Sequence, residues 1–548
     1  MNRFAHPKIE MRAPAGARLL LAASVLALAG AIGLAWQGDG AIAAPAKASA
    51  RHKTAAVLPN GPRPNFVLIQ TDDQTYKQLR GGAMPNTTRL LVRRGTRFTD
   101  YVASTAQCCP SRASLITGQY AHNHGVTSNN VGYPGLVDKS NVLPVWLRRA
   151  GYRTIHVGKF LNGYERSVEP DSMVPPGWDE WHTVLGSREY YRYNLFVNGR
   201  VIHYGHRRRD NITRVLNRAA VTLIKRYVEH PRPLYLQLDA RAPHDSRERD
   251  PFGRCGREPI PEARDRKVFQ RAPLPRPPSY NEQDISDKPP FISAAPRLGP
   301  AETQEIRKHW RCALASLRGV DRGVSQVFHA VKDAGELPRT VFIFTSDNGQ
   351  FYGEHRLRTG KVLPYDEALR LPLVIKEPRR YRRGTARVRK VGRPAGNIDL
   401  APTILDFADA QPCAGTGNCR TMDGRSLVPL LSRSAQWPGH RGLLVEYRVA
   451  DAGRYATCDF LGVRTSDVLY VRHSRVVDPA TGDCVPTDQR ERYDLRKDPL
   501  ELHNLCPGGD LCPTDSRQVG LEALLNRLRN CAGIAGRDQR VDARPFCE

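Results

Sequence analysis

Four apolar runs in this 548-residue chain each end in residues able to do chemistry. Asn65–Thr71 (NFVLIQT) is followed by Asp72 and Asp73, Tyr152–Gly158 by Lys159, and Thr340–Ser346 by Asp347 and Asn348. Leu234–Asp239 leads into Ala242-Pro243-His244. Each run has the length and apolar character of a buried strand, and in open parallel sheets sites form outside the carboxyl ends of the strands. Asp72, Asp73, Asp347 and Asn348 make a hard oxygen set, suited to Ca2+ or Mg2+ rather than a softer metal. Either acidic pair alone reads equally well as the opening of a turn after a strand. Four strands delivering Asp, Lys, His and Asn to one edge is a constellation, and constellations are judged by converging roles.

A further segment, Cys108-Cys109-Pro110-Ser111-Arg112, points to an oxyanion site. Pro110 and Ser111 suit a helix entry, which puts Cys108 just before a helix N-terminus where unpaired N–H groups favour anions. Arg112, one turn on, can offer a charge-assisted fork to the same anion. The ordinary fate of a Cys-Cys pair in an exported protein is a disulfide, and that reading stands beside this one.

The elements that must position these groups alternate between short β-rich runs and longer helical stretches, an α/β pattern. Leu373–Lys376 is a further short strand. Ser111–Thr117, Leu143–Arg149, Asn211–Tyr227 and Glu302–Ala334 have helical spacing of apolar residues. Residues 250–300 are proline-rich and read as an irregular surface insertion. Residues 379–393 (RRYRRGTARVRKVGR) form a basic loop. From about residue 440 the pattern changes to short strands, cysteines and a final helix near Leu521–Arg529. The chain shows no internal repeat.

Hydrophobic residues make up 40% and charged residues 25%, which excludes a wholly disordered chain and a polytopic membrane protein. Arg3, Lys8, Arg12 and Arg18 precede an apolar run, Leu19–Trp36, and Ala41-Ile42-Ala43 reads as a cleavage site. That is the anatomy of a secretory signal in residues 1–44. The run is long for one, so an uncleaved membrane anchor is the alternative. Either way the remainder is secreted or extracytoplasmic, and meets a membrane only if this segment stays attached. Residues 45–62 are a flexible lead-in. The net charge of +28 points to acidic partners. With no zinc-finger spacing and no RNA-recognition aromatic signature, nucleic acid is not the expected one.

The chain resembles the type I sulfatases, whose C-x-P-S-R signature is met by Cys108 to Arg112. The resemblance runs over roughly residues 63 to 432 and is nearest to the N-acetylglucosamine-6-sulfatase and heparan endosulfatase branch. It is carried by LIQTDDQ, QCCPSRASLITGQYAHNHGV, VGKFLNGY, REYYRYNLFVNGR, APH, TSDNGQFYGEH and NIDLAPTILDFA. It implies an alkaline-phosphatase-like α/β fold, a three-layer sandwich around a large, mostly parallel sheet. Residues 63–435 would be the catalytic domain and 436–548 a smaller C-terminal α+β subdomain. Cys108 would be oxidised to formylglycine by a formylglycine-generating enzyme before folding, and its hydrate would attack the ester sulfur to give a covalent sulfated intermediate. Asp72, Asp73, Asp347 and Asn348, with the oxygen derived from Cys108, would bind one Ca2+, Mg2+ being the variant. Arg112 would hold the hydrate and its surroundings, Lys159 and Lys361 would neutralise the sulfate oxygens, and His244 would serve the leaving oxygen. Many arylsulfatases carry a histidine where this chain has Leu161, so the base that frees the enzyme is unassigned.

The implied reaction is hydrolysis of sulfate esters, with the 6-O-sulfate of glucosamine in glycans the expected substrate. A broad arylsulfatase or a phosphonate or phosphate ester hydrolase is the alternative, and a catalytically silent polyanion-binding relative is another. His122 and His124 in YAHNHG either line the substrate cleft or hydrogen-bond their own turn. Tyr191, with Tyr190 and Tyr193, either stacks on a sugar ring or forms a half-buried face. The basic loop either grips an anionic polymer or is a solvated surface. His156 is expected in the core. With Cys108 set aside and Cys109 packed as a small hydrophobe, ten cysteines remain for up to five disulfides. Cys413/Cys419, Cys458/Cys484, Cys506/Cys512 and Cys531/Cys547 are sequence neighbours and Cys255/Cys312 are left, but the connectivity stays open.

Overall fold

The run Asn65–Thr71 is buried at every position, as a strand covered on both faces must be. It is β1, the centre of a ten-stranded sheet in a computed structural model that describes residues 62–548 apart from 81, 168–173, 187–188, 383–387, 433–440, 450–456 and 479. The N-terminal signal or anchor segment, all but the last residue of the lead-in and the middle of the basic loop lie outside the described residues.

The other strands of this sheet are β2 (Thr96–Phe98), β3 (Arg153–Gly158), β4 (Glu180–Leu185), β5 (Asn194–Val197), β6 (Arg200–His203), β7 (Leu234–Asp239), β8 (Thr340–Ser346), β9 (Leu373–Lys376) and β10 (Lys390–Val391). Their order is β10-β2-β9-β8-β1-β7-β3-β4-β5-β6. The run β8-β1-β7-β3-β4 is parallel throughout, and antiparallel pairs extend it on both sides. Parallel neighbours bring their carboxyl ends to one edge, so the residues after β1, β3, β7 and β8 become neighbours in space.

The alternation of β1 divides the core. Phe66 and Leu68 pack with helices α1 (Cys108–Thr117), α2 (Leu143–Arg149) and α5 (Leu400–Ala408). Val67 and Ile69 pack with α3 (Ile212–Tyr227) and α4 (Pro300–Asp333) on the opposite face. The side chain of Asn211 caps α3 by accepting from Thr213 N–H. The expected three-layer α/β sandwich is therefore the observed one. Residues 250–300 carry only short turns of helix, Ala263–Asp265 and Pro290–Ser293.

The C-terminal strands β11 (Leu443–Arg448), β12 (Thr457–Arg464), β13 (Val468–Val477), β14 (Cys484–Pro486) and β15 (Arg490–Asp494) form a second, antiparallel sheet. One face buries Val445, Tyr447, Phe460 and Val471 against Phe351, Tyr365 and Leu369 of the larger body. The other receives Leu521, Leu525 and Leu528 of α6 (Ser516–Leu528). Shared packing of this extent puts the C-terminal sheet and the larger body in one compact unit.

Five disulfides form: Cys255–Cys312, Cys413–Cys419, Cys458–Cys484, Cys506–Cys512 and Cys531–Cys547. The first ties the irregular segment to α4 across 57 residues, a loop whose closure entropy corresponds to about 4 kcal/mol. Cys108 and Cys109 are buried free thiols.

Candidate active site

Thr71 of β1 lies opposite Ser346 of β8, so Asp72-Asp73 and Asp347-Asn348 leave the sheet side by side. The Asp73 and Asn348 backbone N–H groups both donate to Asp347 Oδ1, at 3.1 and 2.8 Å. Asn348 Nδ2 donates to Asp73 Oδ1 at 2.6 Å. Asp73 turns the chain with a φ of 70°, a left-handed conformation that Asp tolerates better than most side chains. From β3, Lys159 reaches Asp72 Oδ2 at 2.6 Å. Its arrival depends on Gly158, with φ 122°, since a Cβ there would stand 1.9 Å from the Asp239 carbonyl oxygen.

Helix α1 starts at Cys108 itself, one turn earlier than the sequence implies, after an extended Gln107. Pro110 falls within the first turn, where its missing N–H is no loss. Cys108 Sγ is 3.4 Å from Asp72 Oδ1 and accepts from Lys361 Nζ at 3.0 Å. Lys361 also pairs with Asp73. The Arg112 guanidinium does not face the cleft. It lies 2.9 Å (Nε) and 2.8 Å (Nη2) from Asp347 Oδ2, and Nη1 is 3.4 Å from Asp239 Oδ1 and 3.1 Å from the Lys159 carbonyl oxygen. In this arrangement it ties Asp347 to Asp239, the surroundings that it was expected to hold.

His244 follows β7. Its Nδ1 lies 2.6 Å from Asp245 Oδ1, its Nε2 faces Asp73 Oδ2 at 3.7 Å, and its carbonyl accepts from the Tyr190 hydroxyl at 2.7 Å. Burial disfavours the imidazolium, but Asp73 and Asp72 outweigh it and hold His244 up to about 9. Burial alone would likewise raise Asp72, yet Lys159, His244, Arg112 and Arg241 keep it well below the usual carboxylate range. Cys108, Lys159, His244 and Lys361 open onto a cleft of about 510 Å³, walled by Asn129, Asn162, Arg166, Arg247 and Tyr447 among others. That volume is in the range of small-molecule sites.

The residues fit a hard divalent cation. Asp72, Asp73 and Asp347 are buried carboxylates at one point, and the buried Asn348 Oδ1 has no hydrogen-bond partner. One ligand atom from each of Asp72, Asp73, Cys108 and His244 lies within 4.8 Å of the others. Cys108 Sγ occupies the position at which an oxygen would stand after oxidation.

Three expected substrate contacts are absent from the cleft. His124 is fully buried, its Nδ1 accepting from Val126 N–H at 3.1 Å and its Nε2 3.0 Å from Ser114 Oγ, and burial pushes it down to about 3. Tyr191 is buried in the α3 layer, with Asn211 Nδ2 3.3 Å from its hydroxyl. His122 sits between Glu446 (3.2 Å) and the Cys531 carbonyl (3.0 Å), tying the α1 side of the molecule to the C-terminal sheet. Burial opposes its charge, but Glu446 carries it up to about 9. A raised histidine stabilises the fold below its ordinary value of 6.5 and loses that contribution as pH climbs through about 9. Stability should therefore fall over this window by on the order of 2 kcal/mol more than in His122→Gln. Equal denaturation profiles for the two proteins across that range would remove the ion pair from the account.

Sequence reasoning missed Asp239, Arg241 and the wall residue Tyr447. Asp239 and Arg241 stand at and just past the end of β7, so the same strand-end logic could have found them. His156 is in the core as expected, 3.0 Å from Asp239 and stacked on Trp181.

The family model described as Sulfatase matches residues 64–410, and that described as N-sulphoglucosamine sulphohydrolase, C-terminal, matches residues 353–515. The putative extracellular sulfatase Sulf-1 homolog of Caenorhabditis elegans is 30% identical over 70% of this chain and 51% of its own length. This chain thus spans about half of that relative, and 34% of the Drosophila melanogaster extracellular sulfatase SULF-1 homolog. The N-acetylglucosamine-6-sulfatase of Capra hircus is 29% identical over 87% of this chain and 86% of its own. Among solved structures, BT4656 in complex with its substrate D-glucosamine-2-N,6-O-disulfate has a TM-score of 0.64 at 22% identity, over 85% of this chain and 97% of that one. With a family model spanning more than half of its residues, the chain belongs to the sulfatase family.

Proposed function

We propose that this protein hydrolyses sulfate esters through a formylglycine made from Cys108, and that its substrate is the 6-O-sulfate of glucosamine units in glycans. The observation that carries this reading is the meeting of Cys108 with Lys361, Lys159, His244 and the Asp72/Asp73/Asp347/Asn348 set at the floor of one cleft. The named N-acetylglucosamine-6-sulfatase relative and the substrate of BT4656 support the choice of glycan.

A Ca2+ or Mg2+ held by Asp72, Asp73, Asp347 and Asn348 supplies, when bound, Lewis-acid polarisation of a sulfate oxygen. Formylglycine supplies a hydrated aldehyde as nucleophile. The chain's own residues do the rest. Lys361 and Lys159 offset the charge of the sulfate oxygens, and each such donor in a dry site contributes about 3–4 kcal/mol. His244 stands to donate a proton to the departing sugar oxygen, with Asp245 orienting the ring through Nδ1. Arg112 and Arg241 hold Asp347 and Asp72 in place. Leu161 is buried at the cleft wall and supplies no base. We also propose export by the N-terminal segment, which the five disulfides support because such bonds persist in oxidising compartments, and encounter with a formylglycine-generating enzyme during maturation.

The test combines mass and turnover. The tryptic peptide Phe98–Arg112 should carry one aldehyde in place of a thiol, and glucosamine-6-sulfate should turn over faster than aryl sulfates or phosphonate monoesters. Two intact thiols in protein from its native host would overturn the nucleophile. Preference for a phosphonate would overturn the substrate class, and binding of sulfated glycans with no turnover would leave a polyanion-binding relative.

A further inference from the structure

A second cluster lies where the chain beyond the C-terminal sheet meets the segment that follows β8. Here His355, Glu367 and Glu501 are buried and one ligand atom from each lies within 4.8 Å of the other two. Each residue is anchored through one atom and leaves the other without a hydrogen bond. His355 Nδ1 donates to Glu282 Oε2 at 2.7 Å, Glu367 Oε1 accepts from Lys77 at 3.1 Å, and Glu501 Oε2 accepts from Asp366 N–H at 2.8 Å. His355 Nε2, Glu367 Oε2 and Glu501 Oε1 have no hydrogen-bond partner. At 3.8 Å, His355 Nε2 and Glu367 Oε2 are too far apart to hydrogen-bond, but they are at a separation that two ligands of about 2.0–2.2 Å share across one ion.

Three buried atoms that face one point without a hydrogen bond are costly, since the 3.8 Å His355–Glu367 ion pair returns only part of the hydration they forfeit and leaves Glu501 Oε1 with nothing. A cation removes that cost for all three at once. Glu282 is also positioned as metal-ligating histidines require, because a carboxylate on Nδ1–H fixes the tautomer that presents the Nε2 lone pair. Lys288 Nζ, 3.2 Å from Glu282 Oε1, holds that carboxylate in turn. One imidazole with two carboxylates is a borderline donor set, unlike the all-oxygen set of the cleft, and suits Zn2+ better than Ca2+.

We propose that His355, Glu367 and Glu501 bind a structural transition-metal ion, Zn2+ by ligand chemistry, that pins the C-terminal sheet to the segment following β8. Glu501 lies beyond β15 while His355 and Glu367 lie between β8 and β9, so the ion is a cross-link between parts of the chain about 140 residues apart. It stands independently of the sulfatase reading, because its test reads no activity.

Full-length protein is incubated with Zn2+ while excess Ca2+ occupies the oxygen site, then dialysed, assayed for metal and crystallised for anomalous scattering across the zinc edge. The expected result is one anomalous peak among the three unpartnered atoms, one zinc per chain, and a zinc content at least about tenfold lower in His355→Gln. Density without anomalous signal at that point would mean a buried water and overturn the proposal, as would zinc retained equally by His355→Gln. If that variant does not fold, Glu501→Gln, which keeps an oxygen for Asp366 N–H, takes its place, and the wild-type map decides alone.

Discussion

Cys108→Ala is expected to lower kcat/KM on sulfate esters by about 10⁴-fold or more, the scale on which loss of a covalent nucleophile acts, with little change in stability. The neighbouring Cys109→Ala should retain activity. The contrast follows from surroundings rather than residue type. Cys108 Sγ faces Lys361 Nζ and Asp72 at the cleft floor. Cys109 points into the core, accepts only from Asn162 N–H at 3.2 Å, and is pushed by burial up to about 12. A thiol so placed is an inert filler. Truncating either cysteine removes one small buried atom, so thermal midpoints should stay close to that of wild type. Turnover that survives in Cys108→Ala would show that the nucleophile lies elsewhere.

Arg112→Met should produce the largest loss of stability of any single change in the site, about 3–5 kcal/mol, the scale for breaking a buried ion pair by removing one partner. Its guanidinium stays charged because, although burial opposes the charge, Asp347 and Asp239 favour it more strongly. Removing it strands both carboxylates. Asp347 is already raised by burial and by the charge of Asp72. Asp239 retains only His156 and Gln237, both on Oδ2. Urea denaturation with chelator present measures the loss free of any cation. Adding Asp347→Asn should recover part of it, since partners in one network are not additive. A fall below about 1 kcal/mol, the ordinary cost of an unselected point mutation, would mean that Arg112 does not hold the floor together.

The parts of this site that were legible in sequence share one property. Asp72, Asp73, Lys159, His244, Asp347 and Asn348 each follow an apolar run whose end is visible in composition, and the parallel sheet turns a shared position along the strand into proximity. Residues without such a frame were not legible. His122 and His124 lie in one short segment, yet one pairs with Glu446, 324 positions away, and the other is sealed under α1. Residue type alone cannot say which neighbour a fold supplies. The strands β4, β5 and β6 escaped notice because β4 mixes polar with apolar residues (EWHTVL), β5 is brief and β6 is exposed along its length, so no continuous apolar run marks them. Arg112 is legible as a site residue from its motif, but its carboxylate partners are not, since Asp347 and Asp239 arrive from two other strands.

Tyr447 and Val449 complete the cleft wall from β11 and just beyond it, which has a consequence for how the protein reaches its working state. The pocket and the carboxylates behind Cys108 gather groups from position 72 to position 449, so almost every contact there closes a long loop. Such contacts form late and slowly, because chain entropy is spent before they return anything. A nascent chain that has emerged only as far as β9 would already hold Asp72, Cys108, Lys159, His244, Asp347 and Lys361, yet would lack one side of its cleft. Recovery of turnover after dilution from denaturant should therefore lag behind recovery of secondary structure.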